Sequence, residues 1–205
     1  MRNTLICYMK PFSLFIISLA LLSLGYGKYF DTVIIDPGHG GKEPGAYWMG
    51  VREADLNLKV GLKLRAELRA RGIKVIMTRM SDKTVSRVTR CRLARDYPNA
   101  VFVSIHFNAS LNISARGAET FAYRSEDFKL ARQIQPRVHR NLKVKDRGVK
   151  AGRYDVIRLT RNPSVLVELG FMSNRNELKR CRTSWFHTTA ARSIADGLMA
   201  YRKLR

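Results

Sequence analysis

From residue 31 onward, short apolar runs alternate with helical periodicity. Residues 32–36 read as a short buried strand. Over 55–71, Leu56, Val60, Leu64 and Leu68 recur every fourth position, which places them on one face of a helix, and Gly72 follows as its stop. The pattern then predicts a strand over 73–79, a helix over 85–97, a strand over 100–106, a loop through Ser114 and a strand over 117–123. A helix over 126–141, a basic loop over 143–152, strands over 154–159 and 164–170, and a terminal helix over 186–202 complete it. Strands alternating with helices imply a mainly parallel sheet covered on both faces. The expected fold is therefore α/β, a three-layer αβα sandwich with roughly six strands. No repeat, low-complexity tract or linker divides residues 28–205, so a single domain is expected there. Phe102, Tyr97 and Tyr123 are expected in its core, and His139 and His187 on its surface.

The first 27 residues carry a different pattern. Arg2 and Lys10 precede an apolar run of about thirteen residues, and Gly25-Tyr26-Gly27 has the small-x-small form of a cleavage site. This reads as a signal peptide, residues 1–27, or as an uncleaved N-terminal anchor. The run is shorter than the roughly 20 residues of a membrane helix. Export to the periplasm or cell envelope is the expectation, with membrane attachment only if the segment stays. Cys7 lies before the apolar run, which does not suit a lipoprotein signal. Removal of the segment leaves Cys91 and Cys181, too far apart in sequence for a close metal-binding pair and read as free thiols.

Charge narrows the partners. The chain carries a net +22, and losing Arg2 and Lys10 would leave +20. So basic a protein favours polyanions: nucleic acid, anionic lipid or an anionic cell-wall polymer. The cations are dispersed, with no basic helix and no aromatic stacking motif, and an exported protein meets little nucleic acid. Wall polymer is the expected partner of the basic surface, nucleic acid is not expected, and the protein is expected to be monomeric.

Four residues carry candidate chemistry. His39 lies in Asp36-Pro37-Gly38-His39-Gly40-Gly41, Glu53 opens a helical pattern, and His106 and Glu168 close apolar runs. Catalytic zinc takes three nitrogen or oxygen ligands and keeps a fourth position open. Two imidazoles and one of the two carboxylates would meet that need, and the other carboxylate would serve as general base. In open sheets, ligands gather at the carboxyl ends of the strands, where these residues are expected. Taken singly, each has an ordinary structural explanation: a hydrogen-bonded histidine, or an acid favoured by a helix N-terminus.

The blocks Asp36-Pro37-Gly38-His39-Gly40-Gly41, Glu53-Ala54-Asp55-Leu56-Asn57-Leu58, Ser104-Ile105-His106-Phe107-Asn108-Ala109 and Val167-Glu168-Leu169-Gly170-Phe171-Met172-Ser173-Asn174 together resemble the zinc-dependent N-acetylmuramoyl-L-alanine amidases of the third amidase family. The resemblance runs in order over about 32–201. It implies His39, Glu53 and His106 as ligands of one zinc ion and Glu168 as the catalytic carboxylate. It further implies cleavage of the amide between N-acetylmuramic acid and L-alanine in peptidoglycan and its muropeptides. Asn108 is expected to orient a ligand or touch substrate. Two other readings use the same residues: a zinc carboxypeptidase or endopeptidase acting on the stem peptide, and a non-catalytic basic wall-binding protein. Some members of the resembled family carry an inserted helix that plugs the zinc site. Here one helix and a basic loop account for 123–154, so an open site is expected.

Overall fold

The computed structural model describes residues 30–204, so the expected signal segment lies outside the described residues. In chain order the elements are β1 (Thr32–Pro37), β2 (Tyr47–Trp48), β3 (Val51–Arg52), α1 (Glu53–Ala70), β4 (Lys74–Met77), α2 (Arg87–Arg95) and β5 (Ala100–Asn108). There follow β6 (Ala118–Ala122), α3 (Ser125–Leu142), β7 (Asp146–Ala151), α4 (Asp155–Arg158), β8 (Ser164–Phe171), α5 (Arg175–Cys181) and α6 (Ser184–Arg202). Six strands form one sheet in the order β4-β1-β5-β8-β6-β7. The first four run parallel; β6 is antiparallel to β8 and carries β7 parallel to itself.

Every residue of β1 and β8 is buried, as continuous apolar runs require when both faces of a sheet are covered. Alternation then divides the side chains between two cores. Val33, Ile35, Val103, Ile105, Val165 and Val167 pack beneath α1, α3 and α6, while Ile34, Phe102 and Leu166 pack against Val156 and Ile157 of α4 on the other face. Leu56, Val60, Leu64 and Leu68 are the buried stripe of α1, as their spacing predicts. These are the three layers of an αβα sandwich.

Several expectations are corrected. The basic loop over 143–152 contains β7, an edge strand whose exposed charges suit an edge and mask its apolar period. The strand over 154–159 is instead the single-turn helix α4; two adjacent apolar residues, Val156 and Ile157, fit either period. The hairpin β2–β3 has only two residues a side and offers no pattern to read; its turn places Met49 and Gly50 at φ 49° and 76°, the left-handed pair that a tight hairpin uses. Cys181 sits in α5, and both it and Cys91 are buried free thiols. His187 is buried, its Nε2 2.7 Å from the Cys181 carbonyl oxygen, and Tyr123 is 40% exposed. Finally, β5 and β8 run past His106 and Glu168, which therefore lie within strands and not at their ends.

What positions the loop after β1 is a pair of buried arginines. Asp36 accepts hydrogen bonds from Arg90 Nη1 at 2.5 Å, Thr78 Oγ1 at 2.7 Å and Ser104 Oγ at 2.8 Å. Arg90 also donates to the carbonyls of Pro37 and His39 at 2.9 and 2.8 Å. Arg79 donates to Pro37 and Gly38 carbonyls, both at 2.9 Å, and to the Ala54 carbonyl in the first turn of α1 at 2.7 Å. Loop carbonyls that would otherwise be orphaned at the sheet edge are thus satisfied by cations. Removing Arg90 would strand the Asp36 charge in the core. We expect Arg90→Met to cost about 3–5 kcal/mol in denaturant unfolding, against about 0.5 kcal/mol or less for Arg92→Met on the exposed side of the same helix. Equal losses would contradict this role for Arg90.

Candidate metal centre

His39 stands just beyond β1 with φ 61°, a left-handed backbone uncommon for a residue with a side chain. The arginine-held loop maintains it. Gly38 beside it makes room for the second imidazole, since a Cβ there would lie 2.2 Å from the His106 ring. The two rings meet edge-on with centroids 4.9 Å apart. Glu53, first residue of α1, lies between them: its Oε2 is 3.2 Å from His39 Nε2 and its Oε1 is 2.8 Å from His106 Nδ1.

Neutral donors hold that carboxylate in place. Oε2 accepts from the Ala46 backbone at 2.9 Å, and Oε1 accepts from Phe107 N and Asn57 Nδ2, both at 3.2 Å. Burial disfavours the charge of Glu53 most strongly, but the hydrogen bonds and charges of His106 and His39 together outweigh it and hold the carboxyl well below its usual range. Burial pulls the His39 imidazole down, and Glu53 more than compensates, leaving it raised. One donor atom from each of His39, Glu53 and His106 falls within 4.8 Å of the others. Two imidazole nitrogens and a carboxylate oxygen are the donor set of a zinc site with an open fourth position. His39 Nδ1 has no hydrogen-bond partner; the nearest acid, Glu43, stands 3.7 Å away.

Glu168 is paired in register with His106 on one side and with Glu119 on the other, so the three share one row across β5, β8 and β6. It is 8% exposed, and its Oε2 is buried without a hydrogen-bond partner. Burial first, and then the negative charges of Glu53 and Glu119, push its carboxyl well above the ordinary value. Asn108 is not one of the three clustered donors. Its amide donates to Glu119 Oε1 at 2.8 Å, and its carbonyl accepts from Ala109 N at 2.8 Å. Glu119 Oε2 in turn accepts from Arg147 at 2.9 Å and Lys150 at 2.5 Å, both on β7.

Three contributors were not evident from the sequence. Arg90 looked like any other cation on a helix. Glu119 reveals itself only through its register with Glu168. Tyr154, read as the start of a strand, packs edge-on against Phe121 at 5.0 Å and helps to line a cavity of about 150 Å³ with His39, Glu43, Arg90 and His106. Burial, followed by the nearby charges of Glu168 and Glu119, pushes the Tyr154 phenol up, so it stays protonated at neutral pH.

Known proteins resemble this chain in sequence and fold. The chain is 35% identical over 175 residues to the N-acetylmuramoyl-L-alanine amidase LytC of Bacillus subtilis, a match covering 83% of this chain but 35% of LytC. It is also 35% identical over 174 residues to the uncharacterized protein YqiI of the same organism, covering 84% of that protein. The catalytic domain of CwlV, an N-acetylmuramoyl-L-alanine amidase from Bacillus (Paenibacillus) polymyxa var. colistinus, superposes with a TM-score of 0.82 at 32% identity, covering 86% of this chain and 100% of that domain. The family model described as N-acetylmuramoyl-L-alanine amidase matches residues 33–200, from the first strand into the last helix, and the chain belongs to that family.

Proposed function

We propose that this protein is a zinc-dependent hydrolase that cleaves the amide between the lactyl group of N-acetylmuramic acid and L-alanine in peptidoglycan. The observation that carries the reading is the convergence of the His39, Glu53 and His106 donors beside a buried carboxylate with a free oxygen. His39, Glu53 and His106 would hold the metal. Zinc bound there would supply Lewis acidity and lower the pKa of a water toward about 7. Glu168 Oε2 takes the proton from the attacking water as the oxygen–carbon bond forms. It returns that proton to the alanine nitrogen as the carbon–nitrogen bond breaks, so the products are a lactyl carboxylate and a free amine. Its raised carboxyl suits a group that must hold a proton between those steps. Tyr154 borders the same cavity as His39 and His106, where its protonated phenol is available to a bound amide.

The relatives' names favour the sugar–peptide amide over a bond within the stem peptide. Export of the protein rests on residues 1–27 and belongs to the same proposal. Residues 143–150 lie largely in β7 along the sheet edge. We therefore expect residues 28–205 to act without an activator.

Digestion of purified wall fragments tests the reaction. It should release stem peptides with a free L-alanine amino end and leave intact glycan; cleavage within the peptide, or none, would refute it. His39→Ala and His106→Ala should each lose most bound zinc by metal analysis. Glu168→Gln should keep its zinc and lose turnover by about 10²- to 10⁴-fold; near wild-type turnover would require a different base.

A second consequence concerns the metal-free protein. The unfolded chain releases the Glu168 proton near its ordinary pKa of 4.5, whereas the fold retains it to higher pH. Above that value the unfolded state binds fewer protons, so stability falls as pH rises. Chelator-treated wild type should lose stability relative to chelator-treated Glu168→Gln between pH 4.5 and neutrality, measured by denaturant unfolding. A gap independent of pH would rule out this account of Glu168.

A further inference from the structure

Two cavities outside the metal centre share a wall. The first, about 580 Å³, runs between the tip of the β2–β3 hairpin, Trp48 and Met49, and the loops after β5 and β8, with Ile113 and Ser114 on the far wall. The hairpin whose tip walls this trough leads directly into Glu53, and Ala46 at its base donates to the Glu53 carboxylate, so one short element connects the trough wall to the metal centre. Asn174 and Asn176 line both this trough and a second cavity of about 330 Å³.

The second cavity is basic. Arg116, Lys143, Lys145 and Arg180 surround it, with Glu177 as its acid. Both oxygens of Glu177 are turned inward, accepting from Gly117 N and Phe171 N at 2.8 Å each. Among the described residues, no ion pair occupies the side chains of Arg116, Lys143 or Lys145. Their backbones are nevertheless fixed. Lys143 ends α3 in a left-handed conformation, and its carbonyl accepts from Arg180, which also donates to the Leu142 carbonyl; the Lys145 carbonyl accepts from Ala118 N at 2.9 Å. Four cations on a fixed backbone, with one acid, Glu177, whose charge reaches Arg180 and Arg116, make a cluster suited to a carboxylate borne on an extended chain.

We propose that the trough seats the stem peptide and that the Arg116–Lys143–Lys145 pocket binds its carboxylates. The proposal deepens the amidase reading and rests on it. Charge chooses between the two halves of the substrate. The sugar is N-acetylated and its lactyl carboxyl is consumed in the scissile amide, so that half is neutral. The peptide carries carboxylates at its C-terminus and on any acidic residue. An extended peptide advances roughly 3.3–3.6 Å per residue, so a few residues laid along the trough reach well beyond the scissile bond.

Binding of a free stem tetrapeptide, measured by calorimetry on the zinc-loaded protein, tests this apart from catalysis. The double substitution Lys143→Gln/Lys145→Gln should weaken binding about fivefold, as expected for two solvent-exposed charge contacts. Arg116→Gln alone should weaken it in the same direction. Lys59→Ala/Arg69→Ala on α1 removes equal charge at a distance and should leave binding unchanged. The peptide with its carboxylates amidated should bind more weakly and ignore the pocket substitutions. Wild-type affinity in the double variant, an equal loss in the α1 control, or binding of a glycerol-phosphate polymer in place of the peptide would overturn the proposal. If the peptide binds as expected but wall digestion yields no free L-alanine amino ends, the amidase reading fails and the pocket stands.

Discussion

The His39–Glu53–His106 cluster depends on a buried ion pair, Asp36 with Arg90, that holds the loop carrying His39. Asp36 lies near the end of the buried strand β1, and Arg90 reaches it from α2. Once seated, the guanidinium has donors left for the carbonyls of Pro37 and His39, while Arg79 takes those of Pro37, Gly38 and Ala54. The chain between β1 and α1 is thereby tied to two other segments. The left-handed backbone of His39 persists because its surroundings over-determine it. Two guanidiniums so close repel one another, and burial, followed by Arg90's charge, pulls the Arg79 guanidinium down from its usual value. Asp36 is what allows both to remain in place.

Much of this was legible in advance, for an identifiable reason. The buried strands and α1 carry strong periodic patterns, and the blocks around His39, Glu53, His106 and Glu168 each pair a chemical residue with glycine or apolar neighbours. Patterns of that kind survive in a one-dimensional reading because they are local. Register is different. That Glu168 sits between His106 and Glu119 follows from pairing with strands 62 and 49 residues earlier in the chain, with a bulge between His106 and Asn108 that no propensity announces. The same holds for Arg90, whose role comes from a partner 54 positions away in sequence.

Misreadings cluster where elements are short or charged. β7 reads as a loop because Asp146, Arg147 and Lys150 look like surface residues, yet an edge strand tolerates them, and two of the three bind Glu119. α4 and the β2–β3 hairpin span too few residues for period 2 and period 3.6 to differ. These short segments are also the ones that shape the cavities around the centre, supplying Tyr154 and Trp48. Loops and brief elements at the carboxyl end of a sheet are constrained by what they must surround more than by their own propensities, so the substrate-facing surface is the least readable part of the chain.

Three carboxylates buried within one small region would destabilise the fold if all were left charged and alone. The structure distributes its cations unequally among them. Glu53 is compensated by two imidazoles and three neutral donors, and Glu119 by Arg147, Lys150 and Asn108. Glu168, in register between His106 and Glu119, receives no such compensation at Oε2. A chain with a net charge of +22 has cations in excess, so the lone carboxylate does not reflect a shortage of partners. Its isolation has a chemical consequence: a guanidinium at Glu168 would lower its proton affinity and occupy Oε2. Withholding a cation there costs stability in the fold and leaves the group basic, which is the property that the proposed general-base role would draw on.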